Sequence, residues 1–248
     1  MHKLILGDCL EQMRNIPDHS IDMVLADPPY GTTACKWDSI IPLEPMWEQL
    51  KRIIKPNGAI VMTAQTPFDK VLGSSNLEML RYEWVWEKTS ATGHLNAKRA
   101  PMKSHENVLV FYEKQPTYNP QKTSGHKRKV ASKVNRADKQ SECYGKQKGV
   151  TDYDSTERYP RSVITFASDK QHSNLHTTQK PVALMEYLIK TYTNEGETVL
   201  DFTMGSGTTG IAAANTGRDF IGIELDENFY SNTVFRHVDC KIKVETSW

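Results

Sequence analysis

The chain has 248 residues, of which 38% are hydrophobic and 25% charged, a composition typical of a globular protein rather than a disordered one. The length fits one domain, and no apolar run approaches the roughly 20 residues of a membrane-spanning helix. The N-terminus lacks the apolar core and cleavage site of a signal peptide, which favours a cytoplasmic protein. The net charge of +1 hides a basic segment, because residues 114–148 carry ten Lys or Arg and two acids.

Apolar patterns predict alternating strands and helices in the first part of the chain. Strands are predicted at residues 4–6, 21–26 and 59–63, and helices at residues 9–15, 42–54 and 68–72. Residues 55–58 (KPNG) have turn-forming composition and are predicted to end the second helix as a turn.

Two β-rich strands follow, at residues 82–86 and 108–112. The polar segment between them, residues 89–104, is predicted to be a long loop, and residues 115–161 show no clear element. The last part of the chain contains predicted helices at residues 182–191, 211–215 and 228–243 and strands at 198–201 and 219–223. This alternation predicts a doubly wound α/β sheet.

The segment Asp27-Pro28-Pro29-Tyr30 follows a predicted buried strand. Neither proline has an N–H to continue a ladder, so the strand ends in a stiff segment. That segment offers one carboxylate, one proline carbonyl and one aromatic ring. Such a set suits a planar amine, including the amino group of adenine or cytosine, although a Pro-Pro turn with a capping Asp has the same residues.

A second motif covers residues 198–224, where a strand, a glycine loop, a small-residue helix and another strand form a β-α-β unit. Gly205, Gly207 and Gly210 match G-x-G-x-x-G, and Glu224 ends the second strand. Glycines allow a ligand to approach the backbone, and the acid can accept ribose hydroxyls. By itself this unit fits a nicotinamide cofactor as well as S-adenosylmethionine.

Together, these motifs and residues 179–181 (QKP) resemble the amino-methylating DNA methyltransferases in their permuted, β-type motif order. The resemblance covers nearly all of the chain apart from the basic segment. It implies a mostly parallel seven-stranded Rossmann-like sheet with one antiparallel strand, and S-adenosylmethionine as the cofactor. An aspartate at the first position of the 27–30 motif resembles the adenine-N6 members more than the cytosine-N4 members.

The resemblance implies catalytic roles for Asp27, Pro28, Pro29 and Tyr30. Among the cofactor positions that it implies, Glu224 would accept the ribose hydroxyls, Lys180 would lie near the methionine carboxylate and Asp8 near the adenine. The full set is Asp8, Gln179, Lys180, Pro181, Asp201, Phe202, Thr203, Gly205, Ser206, Gly207, Thr208, Thr209, Glu224 and Leu225. Phe202 and Thr203 stand where the family usually has proline and then phenylalanine.

The whole chain is predicted to be one methyltransferase domain with three subregions: residues 1–113 carry the catalytic motif, 114–165 form a target-recognition insert, and 166–248 bind the cofactor. The insert is predicted to contact the phosphates of double-stranded DNA. The proposed contacts are Lys127, Arg128, Lys129, Lys133 and Arg136. A solvated linker is the alternative, and the sequence leaves open a homodimer and a restriction endonuclease partner.

No metal site is predicted. His172 and His176 are four residues apart, but the Ser, Asn and Thr around them indicate a loop. The four cysteines have no C-x-x-C spacing, which favours free thiols; they are Cys9, Cys35, Cys143 and Cys240. The alternatives to an adenine-N6 DNA methyltransferase are a cytosine-N4 enzyme, a nicotinamide oxidoreductase and a nucleic-acid-binding module without catalysis, and RNA remains an alternative substrate.

Overall fold

The computed structural model describes residues 1–33, 38–131, 152–167 and 179–246. The chain divides into two compact units, one formed by Met1–Asn119 with Ser162–Trp248 and the other by Pro120–Arg161. The smaller unit lies within the bounds of the predicted insert. Six residues named above lie outside the described ranges: Cys35, Lys133, Arg136, Cys143, His172 and His176.

The described residues contain eleven strands and six α-helices. The strands are β1 (His2–Leu6), β2 (Ile21–Ala26), β3 (Ile54–Ala64), β4 (Leu80–Thr92), β5 (Lys103–Phe111), β6 (Lys129–Ala131), β7 (Tyr153–Ser155), β8 (Val163–Phe166), β9 (Thr198–Asp201), β10 (Asp219–Glu224) and β11 (Val244–Glu245). The helices are α1 (Cys9–Met13), α2 (Leu43–Ile53), α3 (Phe68–Ser74), α4 (Val182–Tyr192), α5 (Thr208–Asn215) and α6 (Glu227–Asp239). None of these helices has the length and apolarity needed to cross a bilayer.

Nine of the strands form one sheet in the order β11-β1-β10-β9-β2-β3-β5-β4-β8. Only β5 runs against its neighbours; the other pairs in this sheet are parallel. The predicted α/β class and the single antiparallel strand are therefore confirmed. The expected count of seven strands is wrong for the described residues, because the short strands β8 and β11 extend the sheet at its two edges.

Helices cover both faces of the large sheet. Successive side chains of its central strands point to opposite faces, and both sets are apolar, so each face needs a cover of helices. Val24 of β2 belongs to a core cluster that includes Met13 of α1 and Leu50 of α2. Its neighbour Leu25 belongs to a second cluster with Leu188 of α4, and α5 packs in the same cluster. This double covering explains why the central strands read as continuous apolar runs in the sequence.

The turn predicted at residues 55–58 is wrong. Helix α2 ends at Ile53, and β3 begins at the next residue. Residues 55–58 bulge out of the pairing with β2, so that these four residues of β3 stand opposite Asp22 alone. Lys55 in this bulge donates to Asp22 of β2 at 2.6 Å, a contact that holds the bulge against the neighbouring strand.

The long loop predicted at residues 89–104 is wrong at its two ends, and residues 93–102 connect the strands. Strand β4 continues to Thr92 and β5 begins at Lys103, so the two form a long antiparallel hairpin. A short 3-10 turn, His94–Asn96, lies between them. Polar residues are compatible with these strands because the end of the hairpin is exposed on both faces.

The smaller unit contains structure that the sequence did not predict. Strands β6 and β7 pair antiparallel, with Lys129 opposite Ser155. A single bridge joins Thr123 to Arg158. Few apolar side chains, the usual sign of strands, occur in this unit. Its two described segments, residues 120–131 and 152–161, are joined by ion pairs such as that of Lys122 with Glu157.

Candidate active site

The ends of four adjacent parallel strands bring the predicted site residues together. Strands β1, β10, β9 and β2 are neighbours, so their carboxyl ends lie at one edge of the sheet. Asp27 follows β2, Asp201 ends β9 and Glu224 ends β10, while Asp8 lies two residues after β1. Open α/β sheets bind ligands at this carboxyl edge.

Asp27 accepts hydrogen bonds from three side chains. Its Oδ1 accepts from the Tyr30 hydroxyl at 2.5 Å and from the hydroxyl of Thr63 on β3. Its Oδ2 accepts from the Lys180 ammonium at 2.5 Å. The Asp27 side chain remains 29% exposed, so the carboxylate is fixed in position and still reachable. Thr63 was missed in the sequence, although its place near the end of a strand next to β2 is a usable signal.

The ring of Tyr30 packs against other side chains of the site. It stacks on Phe68 with ring centroids 5.4 Å apart, and the Lys180 ammonium lies 5.6 Å from its centroid. Burial, and then the negative charges of Asp27 and Glu106, raise the pKa of the Tyr30 phenol well above its ordinary value. Tyr30 is therefore a neutral hydrogen-bond donor to Asp27. Within the same motif, Pro28 is buried and Pro29 is half-buried.

A single carboxylate holds the segment that follows the 27–30 motif. Asp38 accepts from the backbone amides of Tyr30 at 2.8 Å, Gly31 at 2.9 Å, Thr32 at 2.9 Å and Thr33 at 2.6 Å. Burial alone would raise the pKa of Asp38, but a hydrogen bond from the Thr33 side chain, together with the backbone amides, outweighs burial and lowers the pKa below its ordinary value. Sequence analysis did not identify this contact, since nothing in the local pattern shows that residues 30–33 turn back on Asp38.

The glycine loop, residues 203–207, is held from two sides. From β10, Glu224 accepts from the Gly205 amide at 2.8 Å and from the Asp226 amide at 2.9 Å. From α6, Thr233 donates to the Gly205 carbonyl at 2.6 Å and Arg236 donates to the Ser206 carbonyl at 2.8 Å. Gly205 has a φ of +50° in this loop, a conformation that favours glycine. The bracing by α6 was not predicted.

Asp201 is the most buried acid of the site, at 3% exposed. It accepts from the Thr209 hydroxyl at 2.6 Å and from the Thr203 amide at 3.1 Å. Burial, which outweighs these hydrogen bonds, raises the pKa of Asp201 to about 7, with smaller contributions from the charges of Asp27 and Glu224. Burial also raises the pKa of Glu224. Asp27, Asp201 and Glu224 thus share the carboxyl edge, which favours a positively charged ligand.

The remaining predicted cofactor residues differ in their burial and in their hydrogen bonds. Asp8 caps α1 by accepting from the amides of Leu10 and Glu11, at 2.9 and 3.1 Å. Phe202 is buried in the core cluster, Leu225 is 68% exposed, and Gln179 is buried. Among the described residues, the side-chain carbonyl of Gln179 has no hydrogen-bond partner. Pro181 precedes α4, Gly207 precedes α5, and the hydroxyls of Ser206 and Thr208 lie 3.3 Å apart.

Lys180 is placed beside the carboxylate of the 27–30 motif. Besides its bond to Asp27, its ammonium lies 3.3 Å from Glu106 Oε2 on β5, and the other oxygen of Glu106 accepts from Lys88 on β4. Neither Lys88 nor Glu106 was singled out in the sequence. Glu106 stands two residues before the predicted apolar strand at 108–112, and the structure buries it to 5% exposed.

Three of the predicted DNA contacts lie in the described part of the smaller unit. Arg128 pairs with both carboxylate oxygens of Asp154, at 2.7 and 2.6 Å. The backbone carbonyl of Lys127 accepts from Arg158, and Lys129 begins β6. Lys127, Arg128 and Lys129 are all exposed.

A comparison of the sequence with known families agrees with this site, which combines the Asp27 carboxylate and its donors with the glycine loop. A profile of N6/N4 methyltransferases, described as DNA methylase, matches residues 21–235. The chain belongs to this family of DNA methylases. The match includes both the 27–30 motif and the glycine loop, and it confirms the resemblance stated from the sequence. DNA is therefore the substrate class of this methylase.

Individual proteins similar to this DNA methylase fall in both specificity groups. The DNA adenine methyltransferase YhdJ of Escherichia coli (strain K12) is 28% identical over 249 residues, which cover 91% of this chain and 79% of that protein. The crystal structure of the M1.HpyAVI–SAM complex is 23% identical with a TM-score of 0.65, covering 95% of this chain and 100% of that one. The cytosine-N4-specific PvuII DNA methyltransferase is 16% identical with a TM-score of 0.70, covering 98% and 88%. The two structures support the fold.

Proposed function

We propose that this methylase transfers a methyl group from S-adenosylmethionine to the exocyclic N6 amine of adenine in double-stranded DNA. The observation that carries the proposal is the Asp27 carboxylate, which three donors fix at the carboxyl edge while part of it stays exposed. The same edge carries the glycine loop and Glu224. An amine acceptor and a cofactor loop therefore share one edge of the sheet.

The chemistry needs a carboxylate because an aromatic amine is a poor nucleophile. Its lone pair is delocalised into the ring until hydrogen bonds from both amine hydrogens localise it on nitrogen. Asp27 and the carbonyl of Pro28 are the proposed acceptors, and the carboxylate also stabilises the positive charge that develops on nitrogen. Tyr30 orients Asp27 through its hydroxyl and offers its ring to the base. A base inside a duplex must be flipped out to reach Asp27.

The residues of the carboxyl edge fit S-adenosylmethionine. Each oxygen of Glu224 accepts one backbone amide, and an ionised carboxylate oxygen accepts about two hydrogen bonds, so each can also accept a ribose hydroxyl. Gly205 and Gly207 have no side chain to obstruct a ligand. The cluster of acids suits the positively charged sulfonium, and Asp8 is the proposed contact on the adenine side. When bound, this cofactor supplies an electrophilic methyl group.

Two observations support adenine rather than cytosine as the proposed target base. The 27–30 motif begins with aspartate, as in the adenine-N6 members that it resembles, and YhdJ is named a DNA adenine methyltransferase. The residues that accept the amine hydrogens would serve a cytosine amine equally well, so N4-methylcytosine is the alternative product. Residues 120–161 are the proposed target-recognition region because eleven Lys or Arg stand there against five Asp or Glu.

The first prediction tests this function through Asp27. Wild-type protein incubated with S-adenosylmethionine and PCR-amplified genomic DNA, which carries no modified bases, should produce N6-methyladenine in nucleoside digests analysed by mass spectrometry. Asp27→Ala should lower the methylation rate at least a hundredfold, because the amine loses its acceptor, while the cofactor Kd changes less than about threefold. Asp27→Asn, which keeps the shape without the charge, should be similarly slow.

Three results would contradict the proposal in different ways. Only N4-methylcytosine in the digests would identify the target as cytosine and leave the role of Asp27 intact. Wild-type rates in Asp27→Ala would remove Asp27 from the reaction. Calorimetry showing tight binding of NAD and none of S-adenosylmethionine would overturn the cofactor assignment.

A further inference from the structure

Four buried or half-buried charges of alternating sign form a line that begins at Asp27. The carboxylate of Asp27 pairs with Lys180, whose ammonium also lies 3.3 Å from Glu106, and Glu106 pairs with Lys88. The side chains of Lys180, Glu106 and Lys88 are 8%, 5% and 9% exposed. Ions so poorly hydrated are stable only when they are paired. We refer to Lys180, Glu106 and Lys88 as the charge line.

The hydrogen bonds on Asp27 indicate which of its oxygens can accept a further donor. An ionised carboxylate oxygen has about two lone-pair positions. Among the residues that the structure describes, Oδ1 accepts from both Tyr30 and Thr63, whereas Oδ2 accepts from Lys180 alone. An incoming amine therefore finds its acceptor at Oδ2, directly beside the ammonium of Lys180.

Lys180 does not act as a base at this position. Burial by itself would lower the pKa of Lys180, but the charges of Asp27 and Glu106 and the hydrogen bond to Asp27 outweigh burial and raise it. The side chain therefore keeps its proton at neutral pH. A permanent ammonium can orient Oδ2, and it cannot take a proton from the base.

An ammonium beside Oδ2 also creates a difficulty that Glu106 removes. The amine nitrogen becomes positively charged as it is methylated, and a second positive charge nearby would oppose that step. Glu106, 3.3 Å from the Lys180 ammonium, supplies a negative charge that opposes this effect, and Lys88 pairs with the other oxygen of Glu106. The ammonium can then hold Oδ2 in place while the four charges from Asp27 to Lys88 sum to zero.

We propose that Lys180 and Glu106 are positioning residues for methyl transfer: Lys180 fixes the oxygen of Asp27 that accepts the target amine, and Glu106, balanced by Lys88, fixes and neutralises Lys180. The proposal rests on the proposed function of Asp27. It assigns Lys180 to the amine side of the site rather than to the carboxylate of the cofactor. It also gives a role to two residues of the β4–β5 hairpin, which lie 74 or more residues from Lys180 in the chain.

The experiment compares chemistry with binding in charge-line variants. Glu106→Gln should lower the single-turnover methylation rate on PCR-amplified genomic DNA at least tenfold, whereas the Kd values for S-adenosylmethionine and for DNA change less than threefold. Glu106→Asp, which keeps the charge, should recover part of the rate. Glu87→Gln is the matched control, because Glu87 is exposed on the same hairpin and bonds to Thr165 at 2.8 Å; its rate should equal that of the wild type.

A double-mutant cycle tests whether Glu106 acts through Lys180. The rate loss from Glu106→Gln should be much smaller in a Lys180→Met background than in the wild type. Glu106→Gln alone leaves an unpaired buried positive charge, which can prevent folding. The double variant Lys88→Met with Glu106→Gln removes one charge of each sign, and its methylation rate should fall by a similar factor. Thermal unfolding of each variant identifies those that fold.

Three outcomes would overturn this inference. One is a wild-type rate in folded Glu106→Gln or in the balanced double variant. Another is a rate loss that is fully additive with Lys180→Met. The third is a loss of S-adenosylmethionine affinity that matches the loss of rate, which would return Lys180 to the cofactor. Failure of the wild-type protein to methylate DNA would instead overturn the proposed function, so the two failures are distinct.

Discussion

Asp38 and Asp201 show how burial and hydrogen bonding compete at the level of single residues. Both side chains are more than nine-tenths buried. Asp38 accepts four backbone amides, which lower its pKa in spite of burial. Asp201 accepts one hydroxyl and one amide, too few to offset burial, and its pKa rises to about 7. The balance between desolvation and donors, rather than low exposure alone, therefore sets the pKa of each acid.

Asp201 should make stability depend on pH. Its pKa is about 7 in the fold against an ordinary value of 3.8, so between these values the folded state holds a proton that the unfolded state has released. The stabilisation is complete below about pH 4 and is lost as the pH rises through about 7. The free energy of unfolding of the wild type minus that of Asp201→Asn should therefore fall between pH 5 and pH 7, by up to ~1.4 kcal/mol per unit. Urea denaturation at several pH values measures it, and a constant difference would contradict the raised pKa.

At the level of elements, the bulge in β3 depends on one glycine. A Cβ at Gly58 would lie 2.7 Å from Ile54 Cδ1 and 2.8 Å from the carbonyl oxygen of Asp22. The backbone of β2 cannot move away without breaking its pairing with β9 and β3. The close approach of the two strands thus requires glycine at this position.

Gly58→Ala should lower the free energy of unfolding by about 1–3 kcal/mol, the usual cost of adding a methyl group to a filled space. Gly73→Ala in α3 is the control, because there a Cβ meets Leu80 at 3.5 Å, an ordinary contact. Alanine in a helix should raise stability by about 0.5–1 kcal/mol. Urea unfolding with unchanged m-values measures both, and equal stability of the two variants would show that the bulge can relax.

The sequence predicted elements well where burial alone decides them. The bounds of β2 agree with the prediction at both ends, because an apolar run buried on two faces has a distinct pattern. The turn at residues 55–58 was wrong because Pro-Asn-Gly composition is local, whereas the bulge depends on two contacts with β2, the close approach of Gly58 to Asp22 and the ion pair of Lys55 with Asp22. The hairpin end at residues 89–92 was missed because strand pairing, not burial, makes it extended.

The candidate site shows the same limit. The 27–30 motif, the glycine loop and Glu224 could be found because their residues are contiguous or end a strand. The charge line could not, since its members come from three separate elements and meet only after the sheet has formed. Similarly, the bracing of the glycine loop by Thr233 depends on where α6 packs. Long-range polar contacts of this kind leave no periodicity in a single sequence.

At the level of the whole molecule, charge is divided unevenly between the two compact units. Residues 120–161 carry a net charge of +6, and the remainder of the chain carries −5. Within the smaller unit, acids already neutralise some of the cations, as Asp154 does for Arg128. Among the described residues, Lys127 and Lys129 make no ion pair. These two lysines are therefore better candidates for phosphate contacts than Arg128.

Replacing Lys127 and Lys129 together by Ala should weaken binding to all duplexes alike. The slope of log K against log salt should become shallower by up to ~1.8 units, because each phosphate contact contributes about 0.9. Arg128→Ala should change the slope less, since that side chain is engaged by Asp154. Fluorescence anisotropy over a range of salt concentrations measures the slopes. An unchanged slope in the double variant would support a solvated linker, and altered sequence preference would indicate that these lysines read bases.

The position of β1 in the sheet has a consequence for synthesis on the ribosome. Its partners are β10 and β11, more than 210 residues further along the chain. At about 5–20 residues per second, β1 waits roughly 10–40 s for these neighbours to be made. Its residues Leu4 and Ile5, which are buried in the finished sheet, stay accessible to chaperones for that time. At this edge of the sheet the order of synthesis therefore separates β1 from its partners, and we expect its apolar residues to be a chaperone contact until β10 and β11 are made.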